Sequence, residues 1–416
     1  MSNIKYLFLD LNSYFASVEQ QETPSLRGKP VAVVPMLTDA TCAIAASYEA
    51  KRYGVKTGTK IFEAKQMCPN LHCVLARHDK YVEYHHAIRA AAEKVLPINK
   101  IWSIDEFDCV LMGREQEVDN ALRLAHEMKA SITREVGPYV KASIGLAPNS
   151  FLAKVATEIQ KPDGLVVMDN LPGLLFDLKL TDLPGIGLNM EKRLRRAGVQ
   201  SVEALWNLSP KHARKIWGSV QGERFWYWLH GHDIPYQETQ TCMVGHSRVL
   251  DPDLRPPEKA RLMARRLLTK ATYRLRRKGF YAGRLCFSAR LLSGYKWQDE
   301  RAFPPANDIF TFLRHLDDMW NRFQDFHSGQ HLKKVAIILS NLHKEEALSG
   351  DLFLTANVPD KRIQEKRQQL SRALDHLQQK YQRETVWMGT IPQTLAGHVG
   401  TKIAFSRVPE KEEFWS

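Results

Sequence analysis

The chain has 416 residues, 44% of them hydrophobic and 9% aromatic, with a formal charge of +13. That length suits three or four domains, and the apolar content supplies a real core and excludes general disorder. The positive excess favours a polyanionic partner, and no run of 18 apolar residues offers a membrane span, so nucleic acid leads over lipid.

In chain order, residues 6–10 read as a buried strand, followed by a helix over 14–19 and a second strand over 31–35 after the Gly28-Lys29-Pro30 turn. A helix is expected over 45–53, stopping at Gly54, and an amphipathic helix over 83–97 through Ile88, Ala91, Ala92, Val95 and Leu96. A strand over 101–111 then carries Ser103-Ile104-Asp105-Glu106. Helix 117–135, strand 140–145, helix 150–160 and strand 164–168 complete a mixed layer of helices and strands. From 169 to about 236 short helices alternate with glycine turns. Beyond them lie a long basic helix (258–278), strands over 284–292 and 333–339, and a Gln/Lys/Arg-rich helix over 361–382. Residues 243–344 hold 20 Lys or Arg against 9 Asp or Glu, so most of the net charge sits in one region. The six cysteines form no C-x-x-C pair, and Met1–Lys5 leads into an apolar stretch broken by Asp10 rather than into a secretory signal. A reduced, cytoplasmic protein is the expectation.

Asp10 closes one apolar strand, and Asp105-Glu106 interrupts another. Charged groups at such places need compensation. Two readings satisfy that need: divalent cations held by carboxylate oxygens, or simple pairing with Lys or Arg. Tyr48, Lys51 and Arg52 fall at i, i+3 and i+4, on one helical face. Leu183-Pro184-Gly185-Ile186-Gly187, followed by Met190 to Leu194 and closed at Gly198-Val199, reads as a helix-hairpin-helix whose N–H groups bind phosphate without reading sequence. Lys192, Arg193, Arg195 and Arg196 reinforce it, and residues 208–222 read as a degenerate second copy. On the helix 258–278, Leu267, Leu268, Ala271 and Leu275 form an inner stripe, leaving Arg266, Lys270, Arg274, Arg277 and Lys278 outside.

Four motifs in order resemble the Y-family DNA polymerases of the DinB/UmuC type: residues 10–19, residues 48–55, Ser103-Ile104-Asp105-Glu106, and Lys161-Pro162-Asp163-Gly164. The resemblance is clear over about 4–235 and looser over 240–345. It implies a template-directed, low-fidelity translesion polymerase. Asp10, Asp105 and Glu106 would be the catalytic carboxylates, binding two Mg2+ ions (Mn2+ as a substitute) with the Leu11 carbonyl. Phe15 falls at the family's steric gate, where a ring under the sugar excludes a 2′-hydroxyl. Tyr14, Tyr48, Lys51, Arg52 and Lys161 fall at its nucleotide contacts. Lys51 stands where the family usually has Arg, losing the bidentate fork. Ala45 replaces a hydroxyl residue, Asn12 replaces an Asp of many relatives, and Asp108 stands where Tyr, Phe or Ser is commoner.

The implied architecture is α+β and multidomain: a ferredoxin-like palm (1–24 and 75–168) interrupted by small fingers (25–74), a helix-hairpin-helix thumb (169–238), an α/β little finger that clamps the duplex (242–345), and a C-terminal extension (346–416). The expected partners are primer-template DNA and a dNTP, for a monomer without membrane attachment and without proofreading. Residues 348–353 loosely resemble a sliding-clamp docking peptide lacking its leading Gln, with a plain linker as the alternative. Two competing functions are a non-catalytic DNA-binding accessory protein on the same scaffold and a helix-hairpin-helix nuclease or glycosylase. The first would lack the carboxylates. The second needs a catalytic residue just after the hairpin, and none stands there.

Overall fold

The computed structural model describes residues 4–237, 240–347, 358–381 and 408. The clamp-like segment 348–353 therefore lies outside the described residues, as does most of the extension beyond 381. The chain divides into two compact units, one ending at Tyr236 and the other beginning at Gln237.

The first unit is built on strands β1 (Tyr6–Leu11), β2 (Val31–Val34), β3 (Ala45–Ala46), β4 (His72–Leu75), β5 (Lys100–Ile101), β6 (Glu106–Val110), β7 (Ala142–Ala147) and β8 (Leu165–Val167). Between them run helices α1 (Tyr14–Glu22), α2 (Tyr48–Lys51), α3 (Ile61–Met67), α4 (His78–Glu93), α5 (Val118–Glu135) and α6 (Ser150–Ile159). A five-stranded sheet has the order β5-β6-β1-β7-β8, and β2, β3 and β4 form a separate three-stranded sheet. The central strand β1 is buried on both sides, which is why it reads as a continuous apolar run. Phe8 packs with Phe151, Leu152 and Val155 of α6, so the face of β1 that carries Phe8 also carries Asp10. Gly145 of β7 stands opposite Phe8, and a Cβ there would lie 2.0 Å from the Ala153 carbonyl, so α6 sits directly on the sheet at that point.

Three expected elements differ; one is the helix expected over 83–97, which runs instead over His78–Glu93 and closes before Pro97, leaving Val95 and Leu96 beyond its end. Ala45–Ala46 pairs with β2 instead of starting a helix, because the β2 backbone takes its donors (Ile44 N to Val33 O, Ser47 N to Val31 O) and outweighs alanine's helix propensity. The helix is left as the single turn α2, capped by the Ser47 hydroxyl. The strand expected over 101–111 is a hairpin, with Ser103, Ile104 and Asp105 in the bend between β5 and β6. The Ser103 hydroxyl bonds the Asp105 carboxylate, the local side-chain bonding that competes with a ladder. Four helices follow: α7 (Leu188–Arg196), α8 (Val202–Trp206), α9 (Pro210–Trp217) and α10 (Val220–Leu229). Gly185, at φ 91°, makes the left-handed turn before α7, and α9 with α10 takes the place of the second hairpin.

The second unit contains β9 (Met243–Val249), α11 (Pro257–Arg277), β10 (Phe280–Leu291), β11 (Lys296–Ala306), α12 (Ile309–His327), β12 (Leu332–Lys344) and α13 (Val358–Tyr381). Its antiparallel sheet has the order β11-β10-β12-β9. Helices α11 and α12 bury one face of it around Phe287, Trp320, Phe323 and Ile337. Leu267, Leu268, Ala271 and Leu275 point inward as expected, but Arg266 does so too. It is only 4% exposed and is not an outward phosphate contact. Helix α13 docks through Arg276, whose guanidinium grips both oxygens of Asp375 at 2.6 Å, and through the buried Ser371 hydroxyl, which accepts from Ile309 N.

Candidate active site

Asp10 stands directly opposite Glu106 in the β1–β6 register, and Leu11 N donates to the Asp105 carbonyl at 2.9 Å. One sheet edge thus gathers the three carboxylates named from sequence. Residues two apart share a face, so Phe8, Asp10, Glu106 and Asp108 all look toward α6. From α6, Lys154 reaches into this group. Its ammonium pairs with Asp10 Oδ2, lies 2.6 Å from Glu106 Oε1 and is 3.3 Å from Glu158 Oε1. Lys161 takes the other Asp10 oxygen at 2.7 Å and Glu158 at 2.8 Å. Pairing with lysine, one of the two readings of these carboxylates, is thus the arrangement present for Asp10 and Glu106. Lys154 was not singled out in the sequence. The signal was there: it is the only cation in the otherwise apolar run 151–156, and a buried lysine needs an anion.

Burial tends to raise the Asp10 carboxyl, but Lys154 and Lys161 more than offset this and hold it below the ordinary value. Glu106, sharing one ammonium with Asp10, is pushed up to about 7 by burial and by its acidic neighbours. Burial also raises Asp105, which turns toward the Ser103 hydroxyl and feels the Asp10 charge. Lys154 stays protonated, because the carboxylates around it outweigh its desolvation. Among the described residues, no three His, Cys, Asp or Glu side chains are arranged as a metal cage. Lys154 stands between two of the acids and the third faces Ser103. The donor chemistry nevertheless fits a hard divalent ion: oxygen ligands only, crowded together, already holding one cationic atom.

Phe15 is the second residue of α1, its ring stacked on Tyr81 at 4.3 Å and edge-on to His78. The Tyr81 hydroxyl donates to Glu19, which also accepts from Arg77, so the surface behind Phe15 is fixed. The Tyr14 side chain is buried, its hydroxyl donated to the Tyr81 carbonyl at 2.6 Å. The Lys51 ammonium lies over the Tyr48 ring at 4.4 Å, and burial together with Lys161 lowers its pKa. Two like charges thus converge at the mouth of the carboxylate site. Arg52 caps α2 and is exposed. Asn12 accepts from Asp163 N at 2.7 Å and donates to Ser143 Oγ at 3.0 Å, which ties the 161–164 turn, and with it Lys161, to β1.

At the hairpin, Gly185, Gly187 and Lys192 are exposed, whereas Arg193 donates to the Trp217 carbonyl and staples α7 to α9. In the second unit, Lys270 and Arg274 are half-buried on α11 and Arg277 is exposed. Among the described residues, α11 and α12 cover only one face of the sheet. The register places Arg284, Arg290, Lys296 and Lys334 on the other, together with Glu300, which pairs with Arg284 at 2.5 Å, and the small residues Ser247, Gly245, Ser288 and Ala336. These cations were missed in the sequence because only the sheet register reveals their common side.

The sequence matches the impB/mucB/samB family over residues 9–158, that family's C-terminal domain over 243–352, and the DNA polymerase-iota thumb domain over 181–233. It is 31% identical over 392 residues to the DNA polymerase IV of Moorella thermoacetica, an alignment covering 91% of this chain and 94% of that one. The chain belongs to the Y-family DNA polymerases, DinB type. It is 30% identical to DNA polymerase IV 1 of Bacillus subtilis, covering 76% of this chain and 78% of the relative. The fold is similar to that of a Y-family DNA polymerase chimera of Dbh and Dpo4, with TM-score 0.69 and 21% identity over 82% of this chain and all of the other. An insertion ternary complex of Dbh DNA polymerase is similar at TM-score 0.53 and 21% identity, again over 82% of this chain and all of the other. Membership makes the chain a DNA-directed DNA polymerase of the translesion class, and among the described residues no helix is long and apolar enough to cross a membrane.

Proposed function

We propose that this polymerase joins a deoxynucleotide to a primer 3′-end by two-metal nucleotidyl transfer, with Asp10, Asp105, Glu106 and the Leu11 carbonyl as ligands. The observation carrying this reading is the pairing of Asp10 with Glu106 across β1 and β6 around a single cationic atom. Bound Mg2+, or Mn2+ in its place, supplies activation of the 3′-hydroxyl and neutralisation of the leaving pyrophosphate. Tyr48, Lys51, Arg52 and Lys161 hold the triphosphate, whose charge relieves the repulsion between Lys51 and Lys161. Phe15, backed by Tyr81, closes the space below C2′ and so selects deoxynucleotides. The domain boundaries given above go with this reading, as do a monomeric state, a cytoplasmic setting and clamp docking through 348–353.

Synthesis without proofreading goes with the same reading. The similar Dbh DNA polymerase was solved as an insertion ternary complex, which supports primer-template DNA and an incoming nucleotide as the partners here. For the duplex we assign the open sheet face (Arg284, Arg290, Lys296, Lys334) and the exposed hairpin around Gly185 and Gly187.

Primer extension with Mg2+ tests the reading. Asp105→Ala is expected to lower extension by at least about a hundredfold, on the scale of losing one preorganised electrostatic group. In the same assay Phe15→Ala is expected to admit ribonucleotides. Extension undiminished by Asp105→Ala, or sugar selection unchanged by Phe15→Ala, refutes the corresponding role.

A further inference from the structure

We propose that Lys154 is a resident counter-cation that holds the carboxylates together when no divalent ion is bound, and that Glu158 is the acid to which its ammonium withdraws when one binds. The inference rests on the metal-ligand reading above. The Lys154 ammonium touches Asp10 Oδ2 and Glu106 Oε1, two oxygens assigned to metal, and Glu158 Oε1 at 3.3 Å, which is not. Mg2+ demands ligand oxygens at about 2.0–2.1 Å in near-octahedral array, so an ammonium on the same lone pairs and a bound ion exclude each other. The lysine needs somewhere to go. Glu158 lies one helical turn further along α6 (i, i+4), with its side chain 39% exposed, and already accepts from Lys161 at 2.8 Å. A swing about the lysine's own flexible stem moves the charge from the two buried acids to Glu158 without moving α6. Without metal, Lys154 neutralises acids that would otherwise repel each other across β1 and β6; with metal, it becomes a competitor that must be displaced. Lys154 and Glu158 are thus positioning residues that set how tightly the site takes its ion.

The test is equilibrium binding of Mn2+ to the full-length chain, read by loss of the free-ion electron paramagnetic resonance signal, with no DNA or nucleotide present. Asp10→Asn checks the ligand reading, and unchanged Mn2+ affinity in that variant overturns both it and this inference. If Asp10→Asn weakens binding, the remaining variants test the inference alone. Lys154→Met is expected to bind Mn2+ about tenfold more tightly, since a neighbouring positive charge is gone. Glu158→Gln is expected to bind about threefold more weakly, since the ammonium loses its retreat. In the Lys154→Met background, the Glu158→Gln effect should largely vanish, which a through-space charge effect of Glu158 would not do. Equal or weaker binding by Lys154→Met, or the same loss from Glu158→Gln in both backgrounds, overturns the proposal. Should Lys154→Met fail to fold, the surface substitution Glu158→Gln still decides, because unchanged affinity there also overturns it.

Discussion

His85 is buried in α4 with Nδ1 2.7 Å from the Ile104 carbonyl, so its N–H holds the bend that carries Asp105. Burial first, and then His86 and Arg89, lower its pKa from the ordinary 6.5. The folded protein therefore resists protonating His85 while the unfolded chain does not. The stability this neutral histidine contributes is complete above about pH 6.5 and is lost as pH falls below it. His85→Asn keeps a donor near the same place but does not titrate. The fall in Tm between pH 7.5 and 5.5 should be shallower in that variant, and parallel curves would contradict the assignment. At this scale the acids Asp10, Asp105 and Glu106 were legible because charge inside apolar strands stands out on the page. Lys154 was not, since its partner lies 144 residues away and only the seating of α6 on β1 joins them. Asp108 gave no hint of its role either. It is buried and accepts from Asn99 and Trp102 at 2.8 Å and from Ser150, tying the β5–β6 hairpin to the start of α6 with neutral donors alone.

Among the elements, α6 matters most, because it delivers Lys154 and Glu158, and Gly145 lets it sit where it does. A Cβ at Gly145 would meet the Ala153 carbonyl at 2.0 Å and the Ala156 Cβ at 2.7 Å. Gly145→Ala must push the helix outward and is expected to cost about 1–3 kcal/mol in urea unfolding, with reduced extension activity as Lys154 and Glu158 shift. Unchanged stability would mean that the helix has slack. Two helices were readable to within a residue or so, 117–135 against Val118–Glu135 and 150–160 against Ser150–Ile159, whereas the one expected over 83–97 is shifted to His78–Glu93. What escaped includes α12, Ile309–His327, whose own stripe of Phe312, Leu316, Met319 and Phe323 was overlooked, and elements decided by neighbours rather than by their own pattern. The strand Ala45–Ala46 exists because β2 offers it a ladder, and the edge strand β11, Lys296–Ala306, is polar and largely exposed, with no clean alternation to read.

Over the whole molecule, charge and chemistry are divided between the two units. Most of the positive excess falls in residues 243–344, and on the uncovered sheet face the register lines up Arg284, Arg290, Lys296 and Lys334. Each phosphate contact contributes about 0.9 to the slope of log affinity against log salt for duplex DNA. Arg290→Ala with Lys334→Ala should therefore flatten that slope by about 2 in a primer-template binding titration. An equal flattening by Lys270→Ala with Arg274→Ala instead would place the duplex on the helical side. The sequence located the basic region but could not choose the face, because a count of lysines and arginines does not say which side of a sheet its own helices cover. The second unit closes its interior around its own cluster, from Val244 to Leu339. On the proposed assignments, residence time on a strand and the rate of bond formation are open to separate selection. Drift across Ser247, Ser288 or Arg290 would then lengthen or shorten each visit to a template while the surroundings of Asp10 stay as they are.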